Sequence, residues 1–482
     1  MQFIMPDFIP AVPEMFVLAM ACLVLLVDLF VKQRDGQPLT YLLSQLTLVG
    51  AAFLTVYLYE QKPLITFNGH FILDHLGCLL KLSVYGVSFF CLLYIKDYTQ
   101  QRKLPFGETY VLCLLSILGM MVLISAYSFI TLYLGLELMS LPIYAMIAFR
   151  HQSSVCSEAA MKYFVMGAVA SGMLLYGLSM IYGATGVLTI HSVVATISQL
   201  ASGQQLILVF GLVFVVVGIA FKLGAVPFHM WVPDVYEGAP TSITLFLSTG
   251  PKIAAFALAA RLLIDTMPMF HPQWQQLLIA VGLLSMGLGN FVAVVQTNFK
   301  RMLAYSSIAH MGYLLLGLLS GTSVGYGAAA FYVLVYAIMT LGAFGMIVLL
   351  SHSGFEAENI EDFKGLNQRN PWLAFIMLLV MFSMAGVPPL VGFFAKVAVI
   401  EALVAVDLIW VAVLAVLFAV VGAYYYIRII KVMYFDQADG LSPLVIPSVN
   451  QKLAITINGL AILLMGLFPT GLFELCQMGF LK

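Results

Sequence analysis

The segment from Gly218 to His229 reads GIAFKLGAVPFH, and it places a lysine and a proline inside a run apolar enough to cross a membrane. A proline in a helix removes one backbone hydrogen bond, and its ring clashes with the preceding turn. A charged side chain deep in a bilayer costs roughly 3 kcal/mol on insertion scales, so such residues usually line a polar path. The segment therefore predicts a membrane helix that breaks beside Lys222.

A second segment repeats this arrangement. Residues 384–396 read MAGVPPLVGFFAK. Here a small residue, a valine and a proline come before Lys396, whereas in the first segment the same three types of residue come after Lys222. Non-helical backbone at membrane depth is tolerated only where protein or a water-filled cavity surrounds it. Interrupted helices in corresponding positions of two halves are typical of transporters built from inverted repeats. We expect buried polar space near both lysines.

The composition determines the environment of these segments. Hydrophobic residues make up 62% of the chain and charged residues 9%, with a mean hydropathy of +1.03, which excludes a fold around one water-soluble core. A helix needs about 20 residues to cross the hydrocarbon layer. The predicted fold is an all-α polytopic membrane protein with about fourteen helices, at 10–31, 39–59, 73–95, 107–126, 127–149, 159–183, 205–225, 241–264, 274–297, 302–320, 325–350, 372–390 continuing to 403, 406–433 and 452–475.

The predicted helices group into four parts. Residues 1–106 hold helices 1–3, residues 107–265 a first repeat of helices 4–8, residues 266–435 a second repeat of helices 9–13, and residues 436–482 helix 14. Each repeat has an odd number of helices, so the second runs through the membrane in the opposite direction. The broken helices 7 and 12 are then the fourth helix of each repeat.

Lysine and arginine predict the orientation, because they collect on the cytoplasmic side. Of 21 such residues, five lie inside predicted helices and three, Lys62, Arg261 and Lys482, lie on one side. The other thirteen lie on the opposite side: Lys32, Arg34, Lys96, Arg102, Lys103, Arg150, Lys300, Arg301, Lys364, Arg369, Arg428, Lys431 and Lys452. Both termini are therefore expected to face outward, which is the periplasm in a bacterium.

Several classes of site are disfavoured. The six cysteines form no C-x-x-C pair, which argues against iron–sulfur or structural zinc ligation. No glycine-rich nucleotide loop is present, so we expect neither a dinucleotide nor ATP on this chain. The sequence disfavours haem, which needs axial ligands within the bilayer, since only His310 lies clearly inside a predicted helix. No bound cofactor, no metal and no nucleic-acid partner are expected, and membrane lipid surrounds the chain.

The candidate site residues form a buried protonatable row of Glu137, Lys222, Lys252, His310 and Lys396. Glu137 has no neighbouring charge on its own helix, and Lys222 is its expected partner. Burial weakens proton binding by a lysine and a nearby carboxylate strengthens it. A swing of about 3 pKa units corresponds to roughly 4 kcal/mol, comparable with the roughly 3.5 kcal/mol needed to move one charge across 150 mV. A static ion pair, or a histidine that only packs, is the alternative.

Three other charged features favour ordinary structural roles. Lys81 and Lys162 lie nearer predicted helix ends and can extend to the surface. The acidic loop that contains Glu356, Glu358, Glu361 and Asp362 is predicted to be a solvated surface on the cytoplasmic side, with docking of a partner subunit as the alternative.

Two stretches of the chain resemble a known family. Residues 221–241 read FKLGAVPFHMWVPDVYEGAPT and residues 300–313 read KRMLAYSSIAHMGY. Both are similar to the antiporter-like membrane subunits of respiratory complex I. The resemblance covers helices 4–13, whereas helices 1–3 and 14 match mainly in being hydrophobic.

The resemblance implies that Glu137, Lys222, Lys252 and Lys396 correspond to the family's buried charged residues and carry protons. It further implies that NAD, FMN, iron–sulfur clusters and quinone are used on other subunits, with K-like and M-like membrane subunits as neighbours. A subunit of an Mrp-type cation/proton antiporter shares this fold and these charges and is the alternative function. A purely structural membrane scaffold is a third possibility, and it predicts fixed ion pairs.

Overall fold

The computed structural model describes residues 5–30, 38–60, 62–102, 104–200, 202–352, 354–437 and 448–481. Lys32, Arg34, Lys103 and Lys482, which enter the charge distribution above, lie outside these residues. The helices are α1 (Val12–Phe30), α2 (Pro38–Tyr57), α3 (His75–Gln101), α4 (Phe106–Ile124), α5 (Phe129–Ile147), α6 (Ser154–Thr185), α7 (Ile190–Ile197), α8 (Ser202–Leu223), α9 (Trp231–Gly238), α10 (Thr241–Leu247), α11 (Gly250–Ala259), α12 (His271–Val294), α13 (Phe299–Leu318), α14 (Ser323–Leu350), α15 (Leu366–Arg369), α16 (Pro371–Ala385), α17 (Val391–Val404), α18 (Ile409–Tyr434), α19 (Val449–Leu467) and α20 (Thr470–Met478).

The protein is an all-α, multi-pass membrane protein, as predicted. Within the described residues, twelve helical segments are long and apolar enough to cross a membrane. Two further predicted spans are helical but fall outside that set. One is α13, and the other is divided between the shorter helices α16 and α17. The count of fourteen and the division into inverted repeats stay predictions.

Both predicted helix breaks are present. The first ends α8 at Leu223 and the chain becomes helical again at Trp231, while the second separates Ala385 from Val391. At each break the helix ends on a glycine in the left-handed region, Gly224 with φ 73° and Gly386 with φ 87°. Glycine is the residue that adopts this conformation without a steric penalty, and it commonly terminates helices.

A third interruption was not predicted. Residues 241–264 were expected to form one continuous helix, but the chain leaves the helical conformation between α10 and α11 at Ser248 and Thr249. The helix then continues as a π-helical segment, Ala260–Thr266. Lys252 consequently lies in the first turn of a new helix. The sequence signal was the Gly250–Pro251 pair, because proline favours the first turn of a helix over its interior.

A small antiparallel hairpin covers one end of the bundle and was also missed. Its strands are β1 (Leu64–Thr66) and β2 (Phe71–Leu73). Strands of three residues carry too little alternation to be recognised from sequence.

The centre of the bundle is formed by α10, α11 and α14, which are buried almost throughout. α14 packs against α3, α13, α16, α17 and α19, and α11 packs against α3, α4 and α8. Helices α1, α2, α6 and α18 instead leave many large apolar side chains exposed, as expected of surfaces that face lipid. Charged side chains in the central helices are therefore shielded from lipid by protein.

Candidate functional site

Lys222 lies in the last turn of α8, next to the first helix break, and is 6% exposed. Its ammonium donates a hydrogen bond to the Ser140 hydroxyl at 2.9 Å. Ser140 lies on α5, one turn after Glu137. Lys222 and Glu137 interact electrostatically, but no hydrogen bond is recorded between them, and Glu137 Oε1 has no hydrogen-bond partner. The expected partner of Lys222 is therefore close, but the side chain that bonds its ammonium is a serine.

Lys252 reaches the same break from a different helix. Its ammonium donates a hydrogen bond to the Leu223 carbonyl, at 2.7 Å, in the last turn of α8. It also lies 5.2 Å from the centre of the Trp231 ring, at the start of α9. The last carbonyls of a helix have no partners within the helix and carry a partial negative charge. The two lysines thus meet at one helix end.

Lys396 occupies the corresponding position at the second break. Its ammonium donates to the carbonyls of Met384 and Ala385, at 3.0 and 2.9 Å. These are the last two residues of α16, and Lys396 itself lies on α17. The ammonium is 5.5 Å from the centre of the Tyr313 ring. Both breaks therefore place a lysine ammonium on the free carbonyls of a helix end, with an aromatic ring beside it.

His310 lies in α13 with both ring nitrogens bonded to phenols. Nδ1 is 2.7 Å from the Tyr332 hydroxyl and Nε2 is 3.0 Å from the Tyr426 hydroxyl, which in turn bonds Ser306 at 2.5 Å. A hydroxyl can accept one proton while it donates another. This arrangement can relay a proton, and it can also fix the histidine as a packing residue.

His310 and Lys396 line one small polar cavity together with Asn290, Tyr425 and Tyr426. Its volume, counted as space for the centres of water molecules, is about 10 Å³, which is room for about one water.

The structure thus divides the predicted row into two groups. Glu137, Lys222 and Lys252 meet around the end of α8, and His310 shares a cavity with Lys396. No recorded hydrogen bond joins the two groups within the part of the chain that the structure describes.

Sequence reasoning missed the neutral partners of these charges. Ser140, Tyr332 and Tyr426 bond the row directly. A signal existed for one of them: residues 424–426 are three consecutive tyrosines in a predicted span, and a buried phenol usually needs a hydrogen-bond partner. No sequence rule shows which charge that partner is.

The predicted structural roles were wrong for two residues, Lys81 and Glu356, whereas Glu361 of the same acidic loop is 81% exposed, as expected of a solvated surface. Lys81 does not extend to the surface, because it is 0% exposed and forms an ion pair with Glu14 of α1. Glu356 is not solvated: it receives hydrogen bonds from Tyr98 and Thr241 and pairs with Arg102 at 2.8 Å. Both residues appeared to lie near the membrane surface, and only the folded chain supplies their partners.

The other lysine that was predicted to extend to the surface behaves as expected. Lys162 is partly exposed, and its ammonium contacts Asp234 at 2.7 Å and Glu158 at 2.8 Å. It takes no part in the buried row.

Residues 126–422 match the model of a protein family described as "NADH:quinone oxidoreductase/Mrp antiporter, TM". A relative from Coxiella burnetii, NADH-quinone oxidoreductase subunit N, is 58% identical over 480 residues, which cover 99% of each chain. The match includes the N-terminal and C-terminal helices that lie outside residues 126–422.

Solved structures share the fold over nearly the whole chain. A chain of respiratory complex I from Thermus thermophilus with bound aureothin superimposes with a TM-score of 0.82 at 30% identity, covering 96% of this chain and 98% of that one. A chain of the Mrp complex from Dietzia sp. gives a TM-score of 0.83 at 19% identity, covering 98% and 97%. The second likeness shows the fold alone.

Proposed function

The chain belongs to the NADH:quinone oxidoreductase/Mrp antiporter family, and on that premise we propose that it serves as subunit N of a bacterial NADH:quinone oxidoreductase. In that complex it moves protons across the membrane through Glu137, Lys222, Lys252, His310 and Lys396. Electron transfer from NADH to quinone takes place on other subunits.

The observation that carries this proposal is the contact between lysine ammonium groups and helix ends at both breaks. Each ammonium is held by carbonyl oxygens of the interrupted backbone and by no recorded carboxylate contact among the described residues. Helix-end carbonyls favour the charged form of a lysine, and burial opposes it. A small movement of the helix end away from the ammonium therefore promotes release of the proton.

Each proton step uses groups that the structure brings together. When Lys252 passes a proton to a water molecule, an N–H bond of the ammonium breaks, an O–H bond of hydronium forms, and the neutral amine remains next to the Leu223 carbonyl. Lys222 lies in the last turn of the same helix end and donates its hydrogen bond to Ser140. Glu137 adds a negative charge whose distance from Lys222 sets how tightly that lysine holds its proton. Near the second break, His310 accepts or donates a proton through the hydroxyls of Tyr332 and Tyr426, which bond its two ring nitrogens.

The proposal includes the surroundings of the chain. It lies in the bacterial inner membrane with both termini on the periplasmic side, next to K-like and M-like membrane subunits and membrane lipid. NAD, FMN, iron–sulfur clusters and quinone belong to other subunits. As a subunit it contributes to an enzyme, a proton-translocating oxidoreductase, without a catalytic redox site of its own. The two five-helix repeats, 107–265 and 266–435, are each proposed to contain one break and one proton-carrying lysine.

Replacement of Lys222 by alanine in the intact complex tests this function. We expect proton pumping and the coupled NADH:quinone reductase activity to fall about 100-fold or more, while the assembled complex persists on native gels. Lys431→Ala is the matched control, because Lys431 lies on α18 with its side chain 63% exposed. Normal pumping by the Lys222 variant would refute its role.

An Mrp-type cation/proton antiporter remains the second candidate, because the family includes both and the fold is shared. Co-purification separates the two. Flavin and iron–sulfur subunits that purify with this chain support the oxidoreductase, whereas sodium/proton exchange without NADH oxidation supports the antiporter.

A further inference from the structure

A second group of buried charges lies outside the proposed proton row, at the hairpin end of the bundle. It contains three carboxylates and two cations: Glu14, Asp74, Asp265, Lys81 and Arg261. They come from α1, from the start of α3 and from the π-helical segment that follows α11. We call this group the Arg261 cluster. It does not include any residue of the row discussed above.

Glu14 and Lys81 form an ion pair that is almost sealed from solvent, at 6% and 0% exposed. The Lys81 ammonium also lies 5.1 Å from the centre of the Phe71 ring. Beyond their mutual contact, neither oxygen of Glu14 nor the Lys81 nitrogen has a hydrogen-bond partner among the described residues. A buried ion pair needs such additional hydrogen bonds to offset the loss of water, so this pair is poorly built as a static clamp.

Asp74 and Arg261 form a fixed pair beside it. Both guanidinium Nη atoms reach the Asp74 carboxylate at 2.8 Å, and one also bonds Asp265 at 3.0 Å. Although burial opposes ionisation, the Arg261 charge and its hydrogen bonds hold the pKa of Asp74 below its usual range. Asp74 therefore stays an anion and does not carry protons.

Hydrogen bonding distinguishes the carboxylates of the Arg261 cluster. Asp74 and Asp265 both receive hydrogen bonds from arginine, whereas Glu14 has only Lys81. Glu14 is thus the carboxylate best suited to accept the proton.

One face of α3 connects this pair with the interior. Lys81, Tyr85, Ser88 and Cys91 follow one another at spacings of four, three and three residues, so they share one side of the helix. All four side chains are buried. The Ser88 hydroxyl has no hydrogen-bond partner.

The inner end of this face lies against the interruption before α11. Cys91 Sγ is 3.5 Å from Thr249 Oγ1. The Ser88 hydroxyl lies 3.9 Å from where a Cβ atom on Gly250 would be. Lys252 lies two residues further along α11, and its ammonium bonds the Leu223 carbonyl of α8. The buried polar face of α3 therefore extends from the first turn of the helix that carries Lys252 to the Glu14–Lys81 pair.

We propose that Glu14 and Lys81 form a proton-carrying pair, which receives protons from the Lys252 side along this face of α3 and releases them at the hairpin end of the bundle. The inference rests on the proposed function. An N–H bond breaks at Lys252 and an O–H bond forms at Glu14, and release to water breaks that O–H bond and restores the carboxylate. No electrons move.

Protonation of Glu14 leaves Lys81 without its counter-charge. The titratable groups outside the cluster that interact electrostatically with its members include Cys78, Tyr85 and Tyr127.

The test uses the intact complex in liposomes, with pumping expressed per assembled complex. We expect Glu14→Gln to lower proton pumping about 100-fold. Glu108→Gln is the matched control, because Glu108 is an exposed carboxylate in the first turn of α4. The double variant Glu14→Leu with Lys81→Met separates the two roles. Apolar residues of similar volume often replace a static buried pair without loss of stability, whereas a proton carrier loses pumping.

Infrared difference spectra between resting and turnover states give a readout that a structural pair does not produce. We expect a band of a protonated carboxylic acid in the wild type that is absent in Glu14→Gln. An unchanged spectrum in Glu14→Gln overturns this inference. Normal pumping by the double variant overturns it too, provided that Lys252→Ala is inactive. Either result leaves the proposed function intact. Normal pumping by Lys252→Ala overturns the proposed function itself.

Discussion

At the first helix break the capping ammonium comes from a different helix, since Lys252 of α11 donates to the end of α8. At the second break it comes from the same interrupted helix, since Lys396 of α17 donates to the end of α16. The first break has another lysine, Lys222, and a nearby carboxylate, Glu137. The second has a histidine and tyrosines. The same requirement, a cation for an exposed helix end, is met in two ways.

The difference indicates what each break can respond to. Movement of α11 relative to α8 changes the contact at the first break, so that break is sensitive to how two helices pack. At the second break, the ammonium and its carbonyl partners lie on two halves of one interrupted helix, and bending at Gly386 changes the contact. We therefore expect the contact of Lys252 to depend on the packing of neighbouring helices, and the contact of Lys396 to depend on local bending at Gly386.

The strongest test of this comparison is Lys396→Met. It removes the one lysine recorded at the second break within the described residues and leaves two helix-end carbonyls without a donor. Because positioned proton-transfer groups contribute about 100-fold or more, we expect pumping in proteoliposomes to fall by that order, with the complex still assembled. Lys364→Met, on the loop after α14, is the control. A variant that pumps normally would show that the second break does not carry protons.

The next largest effect is expected at Glu356, which joins the loop after α14 to α3 and to the start of α10. Its carboxylate bonds Thr241, at the start of α10, and pairs with Arg102 after α3. Loss of one partner from a buried charge pair costs about 3 kcal/mol or more. Glu356→Gln should lower thermal stability by this amount near neutral pH. Glu361→Gln, whose side chain is 81% exposed on the same loop, should change it little.

The same residue predicts a pH dependence. Although burial opposes ionisation, Lys300 and Arg102 lower the pKa of Glu356 below its ordinary value of 4.5. A lowered folded-state pKa means that the stabilisation is fully present above the ordinary value and is lost as the pH falls through the lower one. The stability difference between wild type and Glu356→Gln should therefore shrink under acid conditions. A difference that grows on acidification would contradict this assignment.

The smallest effects separate the two glycines. Gly224→Ala and Gly386→Ala each force an L-residue into the left-handed region, which costs about 1–2 kcal/mol. A Cβ atom at residue 224 would lie 2.5 Å from Val232, whereas at residue 386 it would meet the flexible end of Lys396 at 3.0–3.2 Å. We expect Gly224→Ala to lower thermal stability more, and Gly386→Ala to lower pumping more. If the two variants lose thermal stability equally and lose pumping equally, the distinction between the two breaks is removed.

Much of the fold follows from the sequence because membrane helices have a strong local signal. Long apolar runs predict the spans, and the prolines and glycines at residues 224–227 and 386–389 predict both breaks. The weaker local signals failed. The interruption at Ser248 and Thr249 and the short strands β1 and β2 lack the length that makes periodicity informative.

The candidate site likewise has one part that the sequence predicts and another part that only the tertiary structure decides. The positions of the row residues, Glu137, Lys222, Lys252, His310 and Lys396, follow from the sequence alone, since a charge inside an apolar run is visible without any partner. What each ammonium bonds was decided by tertiary structure: Ser140 for Lys222, and helix-end carbonyls for Lys252 and Lys396. Backbone carbonyls belong to every residue, so sequence cannot show which of them a helix break has left free. Lys81 makes the same point, because its counter-charge, Glu14, lies on another helix 67 residues away and only packing brings them together.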